Sequence, residues 1–140
     1  MLSRTILLRV AAFFLLFTCL GHTWGTFMQT PKEETQVIQA EEVMKKTLVP
    51  MPIGQPKSFA EIFFGNNISM SMFLFILGIL NIILSSNSIE LDKSHKQVLI
   101  VIIIGSFFVS IVSGIYFFPM PAIFTGIAGL LGSIVYYKEI

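Results

Sequence analysis

His22 is the residue of this chain best suited to chemistry. It lies in Gly21-His22-Thr23-Trp24-Gly25, within a largely apolar run that extends from Ile6 to Met28. Histidine ordinarily changes charge between roughly pH 5 and 8, so an imidazole here could act as a general base or bind a polar group. An imidazole among apolar residues is costly unless it has a partner, which makes His22 a candidate site residue. The alternative is a structural histidine, hydrogen-bonded beside an anchoring Trp24.

Several polar residues are predicted to lie at the same end of the molecule as His22. They stand at or near the ends of apolar runs and comprise Trp24, Thr26, Glu61, Asn66, Asn67 and Tyr116. A carboxylate near an imidazole fixes its tautomer, so we expect His22 and Glu61 to be partners. Asn and Tyr side chains there could orient a polar headgroup. The alternative for Glu61 is that it only closes a helix-capping motif.

The sequence predicts no metal site and no cofactor. His95 is separated from His22 by a whole apolar run, so most of a ~30 Å layer lies between them and they cannot ligate one metal or one haem iron. The only cysteine, Cys19, excludes a disulfide or a Cys-x-x-Cys pair within the chain. We find no nucleophile elbow, phosphate loop or dinucleotide fingerprint. A net charge of +1 without a basic stripe argues against nucleic acid as a partner.

Four apolar runs must position these residues. They cover residues 6–28, 68–86, 98–118 and 121–137 of a 140-residue chain that is 54% hydrophobic and 12% charged. Each is close to the ~20 residues that a helix needs to cross ~30 Å of hydrocarbon. The sequence therefore predicts an all-α membrane protein, with residues 1–140 forming a single domain built on a four-helix transmembrane bundle.

The first run has two alternative interpretations. Arg4 and Arg9 precede or begin an apolar stretch, and small residues near Gly25 resemble a signal-peptide cleavage site. A lipoprotein signal at Cys19 fits less well, because Phe17 and Thr18 stand where such signals carry small residues. The run is long for a signal core, so we interpret it as a span.

Orientation follows from the Lys and Arg residues near the ends of the runs, because cationic loops are retained in the cytoplasm. Five cations lie on the side of the N-terminus: Arg4, Arg9, Lys93, Lys96 and Lys138. Four lie on the other side: Lys32, Lys45, Lys46 and Lys57. Two of these four stand in the middle of a long loop, so we predict that both termini are cytoplasmic.

The loop between the first two runs is predicted to contain an amphipathic helix over about residues 31–48. Thr30-Pro31-Lys32-Glu33 has the pattern of a capping box, and apolar residues recur on one face. Such a helix suits a position on the bundle or in the membrane interface. Three prolines between positions 50 and 56 then predict an extended stretch. Ser58-Phe59-Ala60-Glu61 is a second capping box, from which a helix could run into the second span.

Small and polar residues repeat at helical spacing in the last three runs. In the order of the chain they are Asn67, Ser71, Gly78, Asn81 and Ser85, then Ser106, Ser110, Ser113 and Gly114, then Thr125, Gly129 and Ser133. Such residues let helix backbones approach closely, which predicts a packed bundle. These three runs contain no ionisable residue at depth, which argues against a channel or pump. The short Pro119-Met120-Pro121 turn predicts that the last two helices are antiparallel neighbours.

The first half of the chain resembles a family of small bacterial four-span membrane proteins of unknown function. The resemblance rests on Gly21-His22-Thr23-Trp24-Gly25-Thr26, on Val43-Met44, and on Gly54-Gln55-Pro56-Lys57-Ser58-Phe59 leading to Phe63-Phe64-Gly65. It implies a common bundle with His22, Gly25, Ser58 and Gly65 in motif positions, and it brings no activity. A four-span likeness to the DoxX-like proteins is one of fold alone.

Three functions remain open at this point. The expected function is binding of a membrane lipid or a small apolar ligand near the outer leaflet of a cell membrane. If the protein is bacterial, this membrane is the inner membrane. The second is an accessory or scaffold subunit that binds another membrane protein. The third is an interfacial enzyme that uses His22 as a general base.

Overall fold

A computed structural model describes residues 3–28, 35–86, 91–117 and 119–139. Within these ranges the chain forms five helices and one short strand pair. The helices are α1 (Arg4–Phe27), α2 (Thr35–Lys46), α3 (Phe59–Leu84), α4 (Lys93–Tyr116) and α5 (Pro119–Lys138). The strands β1 (Leu48–Val49) and β2 (Lys57–Ser58) lie between α2 and α3.

Four of the helices, α1, α3, α4 and α5, are long and apolar enough to cross a membrane. Their lengths of 20 to 26 residues correspond to roughly 30–39 Å at 1.5 Å per residue, which matches or exceeds the hydrocarbon core of a bilayer. Large apolar side chains are exposed along all four, as expected for surfaces that contact lipid. The protein is therefore a multi-pass membrane protein with an all-α fold, as the apolar runs predicted.

The chain divides into two compact units, which we call the bundle unit and the loop unit. The bundle unit comprises Met1–Leu20 and Met72–Ile140, and the loop unit comprises Gly21–Ser71. The helices α1 and α3 each contribute residues to both units, whereas α4 and α5 belong to the bundle unit and α2 to the loop unit.

In the bundle unit, α4 and α5 are antiparallel neighbours, as the short turn between them predicted. A Cβ on Gly132 would lie 2.9 Å from Cγ1 of Ile103, and one on Gly129 would lie 3.2 Å from the ring of Phe107. Nearer the start of α5, the Ser110 hydroxyl donates to the Ala122 carbonyl at 2.7 Å. The glycines therefore lie in the contact between the two helices.

The packing of the other helices also uses a small residue. A Cβ on Gly78 of α3 would lie 2.7 Å from the Leu16 side chain of α1. Most of the predicted small and polar residues are buried, including Ser71, Asn81, Ser85, Ser106, Ser113 and Thr125. Gly114 is an exception, because it is exposed. Gly78 and Gly129, two of the predicted small residues, therefore lie in contacts between helices.

The loop unit contains a hairpin that joins α2 to α3. Leu48 pairs with Ser58 and Val49 with Lys57 in an antiparallel ladder. The Phe59 amide also donates to the Thr47 carbonyl at 3.0 Å. Gly54 has a φ of 94°, a backbone conformation that favours glycine, so it supplies the turn between the two strands.

Several predicted boundaries differ in the structure. The second span begins at Phe59, not near residue 68, because the helix started by Ser58 continues without a break through Gly65. The third span begins at Lys93, not at residue 98, because Asp92 caps the helix there. The loop helix ends at Lys46, and Leu48 lies in β1 because pairing with Ser58 replaces the next helical turn. Pro119 begins α5 itself, so Pro119-Met120-Pro121 is the first helical turn. The predicted capping box at residues 30–33 lies outside the described residues.

Candidate functional site

Six of the seven predicted site residues belong to the loop unit. These are His22, Trp24, Thr26, Glu61, Asn66 and Asn67. Tyr116 belongs to the bundle unit, at the C-terminal end of α4, where its side chain is exposed. The structure therefore groups the residues from the first two spans in one compact unit.

His22 lies near the C-terminal end of α1 and is half-buried. Its ring forms a hydrogen bond with the main chain of Asn67 in α3. The His22 carbonyl accepts a hydrogen bond from the Thr26 hydroxyl at 2.8 Å. His22 thus connects the first span to the second. The Thr26 hydroxyl donates its hydrogen bond to a carbonyl of its own helix, α1.

Glu61 forms the capping box that the sequence predicted. Its Oε2 accepts hydrogen bonds from the Ser58 amide at 2.8 Å and from the Ser58 hydroxyl at 3.0 Å, and the Glu61 amide donates to the same hydroxyl at 3.2 Å. Its Oε1 lies 3.6 Å from Nζ of Lys57. Both carboxylate oxygens therefore have partners other than His22, and the partnership of His22 with Glu61 stays a prediction.

Two of the remaining site residues present polar groups at the surface of the loop unit. Trp24 is 66% exposed, and Asn66 is also exposed. An indole N–H donates one hydrogen bond, and a carboxamide both donates and accepts. Both groups suit the ester carbonyls and phosphates of lipids, and a tryptophan at the end of a span is typical of membrane interfaces.

Aromatic rings connect the same two helices close to the site. The rings of Phe27 in α1 and Phe64 in α3 meet edge to face, with centroids 5.6 Å apart. The contact is in the range where aromatic pairs add stability beyond the area that they bury. Together with the hydrogen bond of His22, it holds the end of α1 against the beginning of α3.

Two features of the structure were not predicted from the sequence. One is the hairpin tip, where Ile53 is 93% exposed. A signal was present, because residues 48–56 contain no charged residue although they lie outside the four apolar runs. The other is the N-terminal cap of α4. There Oδ1 of Asp92 accepts a hydrogen bond from the His95 amide at 2.9 Å, and the same oxygen lies 2.8 Å from Nδ1 of the His95 ring. These hydrogen bonds, chiefly the one from the His95 amide, lower the pKa of Asp92.

Metal-ligating side chains do not cluster in the part of the chain that the structure describes. No three His, Cys, Asp or Glu residues among these positions lie close enough together to hold a metal ion. Cys19 is buried in the bundle unit.

Comparison with models of protein families, with curated proteins and with solved structures finds no match for this chain.

Proposed function

We propose that this protein binds a membrane lipid, or a small apolar ligand with a polar headgroup, at the loop unit. The observation that carries the proposal is that six polar candidates from two spans fall within one compact unit. Trp24 and Asn66 are the groups exposed to such a headgroup, and His22 holds the two helices that present them. The membrane would be the inner membrane of a bacterium, with both termini in the cytoplasm and the loop unit at the outer leaflet.

The resemblance to the family of small bacterial four-span proteins is part of this proposal. His22, Gly25, Ser58 and Gly65 occupy its motif positions, and all four lie in the loop unit. Ser58 has a structural explanation in its capping box with Glu61. A motif that concentrates in one unit is consistent with a shared role for that unit.

Native mass spectrometry after gentle extraction tests the proposal. We expect wild-type protein to retain lipid, and Trp24→Leu and Asn66→Leu to retain less because each loses a headgroup contact. Phe13→Leu is the matched control, since Phe13 is an exposed aromatic residue of α1 in the bundle unit. Equal retention by all four proteins would contradict the proposal.

A second experiment examines His22. His22→Gln keeps a hydrogen-bonding group but does not titrate. We expect it to fold and to lose any pH dependence of lipid retention between roughly pH 5 and 8, the range in which histidine changes charge. A double-mutant cycle combines His22→Gln with Glu61→Gln. If the two residues are partners, as the sequence predicts, their effects on lipid retention are non-additive. If they have separate roles, the two effects add. The contacts of Glu61 with Ser58 and Lys57 favour the additive result.

An accessory or scaffold subunit is the second candidate. It is favoured by the open face of α1 in the loop unit, where a Cβ on Gly21 or Gly25 would meet nothing within 4 Å among the residues that the structure describes. Exposed glycines four residues apart are typical of helix surfaces on which another transmembrane helix packs. A retained protein in place of lipid in the same mass spectra would favour this function.

The interfacial enzyme is the third candidate, and it depends on His22 acting as a general base. Such a base is commonly oriented by a carboxylate. The carboxylate of Glu61 is engaged by Ser58 and Lys57, so this candidate has less support than the other two.

A further inference from the structure

The loop unit carries an apolar surface outside its two spans. At 100° per residue, Val37, Ala40, Val43 and Met44 of α2 fall in an arc of about 120° that contains one polar residue, Gln36. No residue of α2 is buried, and Val43 is 62% exposed. The exposed Leu48 and Ile53 of the hairpin add to this surface. We call these residues of α2 and the hairpin the loop apolar surface.

The loop apolar surface is tied to the point where a span begins. The ladder of β1 with β2 and the hydrogen bond from Phe59 to Thr47 fix the end of α2 beside the first residue of α3. Ile53 is five residues from Ser58, so it cannot lie more than about 18 Å from it even in a fully extended chain. The α2 helix is itself only about 18 Å long. The surface therefore lies within roughly 20 Å of the start of α3, near enough for it to reach the headgroup layer.

The charges near this surface neutralise one another. Three ion pairs account for the charged residues that the structure describes between positions 35 and 71. They are Glu41 with Lys45 at 3.1 Å, Glu42 with Lys46 at 3.1 Å, and Lys57 with Glu61 at 3.6 Å. Membrane-surface helices that select anionic lipid instead carry an excess of Lys and Arg. The pairing here suits a leaflet without net charge.

We propose that the loop apolar surface lies in the headgroup layer of the membrane and that it contacts zwitterionic lipid. The α2 helix then lies along the bilayer with Ala40 toward the acyl chains and Glu42 toward water. Ile53 inserts as a second anchor at the tip of the hairpin, within residues 48–56, which carry no charged side chain. This inference is independent of the proposed function, because none of the residues in the loop apolar surface belongs to the candidate site.

Spin labels on the full chain in phosphatidylcholine nanodiscs test the proposal. Single cysteines replace Ala40, Val43, Ile53 or Glu42 in a Cys19→Ser background. For each spin label, the rate of collision with oxygen, which partitions into lipid, is compared with the rate of collision with a water-soluble nickel complex. We expect labels at positions 40, 43 and 53 to be reached by oxygen and shielded from nickel. The matched control at position 42, on the opposite face of α2, should show the reverse.

A label at position 115, on the exposed face of α4, provides the lipid reference within a span. Accessibility to nickel at positions 40, 43 and 53 would show that the surface faces water and would overturn the proposal. Shielding from both reagents would show that protein covers the surface, either this chain or another, and would also overturn it. Adding one third phosphatidylglycerol should leave the collision rates unchanged. Shielding from nickel that needs the anionic lipid would contradict the preference for zwitterionic lipid.

Discussion

Two serines of α4 show how a single hydroxyl can either hold helices together or remain unsatisfied. Ser110 donates to the Ala122 carbonyl of α5 at 2.7 Å. Ser106 is fully buried, and no atom of the described residues forms a hydrogen bond with its Oγ. A buried polar atom without a partner is costly, whereas a hydrogen bond between helices in a membrane protein contributes about 0.6 kcal/mol on average.

We therefore expect the same substitution to act differently at these two positions. Ser110→Ala should lower the free energy of unfolding by about 0.5–1.5 kcal/mol, and Ser106→Ala should leave it unchanged or raise it. Unfolding in mixed micelles by a denaturing detergent measures both variants against wild type. A larger loss for Ser106→Ala than for Ser110→Ala would show that the Ser106 hydroxyl has a partner.

Asp92 should make stability depend on acid pH. Its pKa is lower in the folded protein than in the unfolded chain because its carboxylate accepts from His95. The stabilisation is therefore present above the unfolded pKa of about 4 and is lost as the pH falls through the folded value. Asn is also a good N-cap residue, so Asp92→Asn removes mainly the charge. We expect wild type to melt at a higher temperature than Asp92→Asn at pH 6, with the difference shrinking as the pH falls below the unfolded pKa of about 4. A difference that stayed constant as the pH was lowered from 6 through this range would contradict this interpretation.

The packing of α4 against α5 depends on glycines. Gly129 lies against the ring of Phe107, so a leucine there must displace a large side chain. We expect Gly129→Leu to destabilise the bundle unit by at least about 1–3 kcal/mol, the usual cost of overpacking. Thermal unfolding in detergent measures the effect.

Two controls distinguish this clash from a general effect of substitution. Gly114→Leu makes the same change at an exposed glycine. Among the described residues, the atom nearest to an added Cβ there is Cβ of Ala122, at 3.7 Å. Ile123→Leu alters an exposed residue of α5. Both should melt close to wild type. If Gly129→Leu unfolded at the same temperature as these two controls, the glycine contact would not be holding α4 against α5.

The elements were largely predictable because their causes are local. Long apolar runs identify the spans, and Ser58 with Glu61 identifies the start of α3. The end of α2 was not predictable, since the pairing of Leu48 with Ser58 is a contact across ten residues that overrides the helical pattern. The contact of His22 with Asn67 joins two spans, and no sequence spacing specifies which main-chain group a histidine reaches. The sequence could therefore predict the local contact of Glu61 with Ser58, but not the contact of His22 with Asn67.

At the scale of the whole molecule, four spans place consecutive loops on opposite sides of the membrane. The described loop residues 35–58 precede α3, and Ser94 lies in the first turn of α4. Gln39 and Ser94 are both exposed, so a cysteine at either position is open to labelling. Their accessibility reports directly on whether α3 crosses the membrane.

Labelling these two cysteines, each in a Cys19→Ser background, with an impermeant thiol reagent applied to intact cells tests the four-span topology. We expect Gln39→Cys to be labelled and Ser94→Cys to be labelled only after the cells are opened. Labelling of Ser94→Cys alone would reverse the orientation and move the proposed lipid site to the cytoplasmic leaflet. Labelling of both in intact cells would contradict the four-span architecture, because α3 would then not cross the membrane.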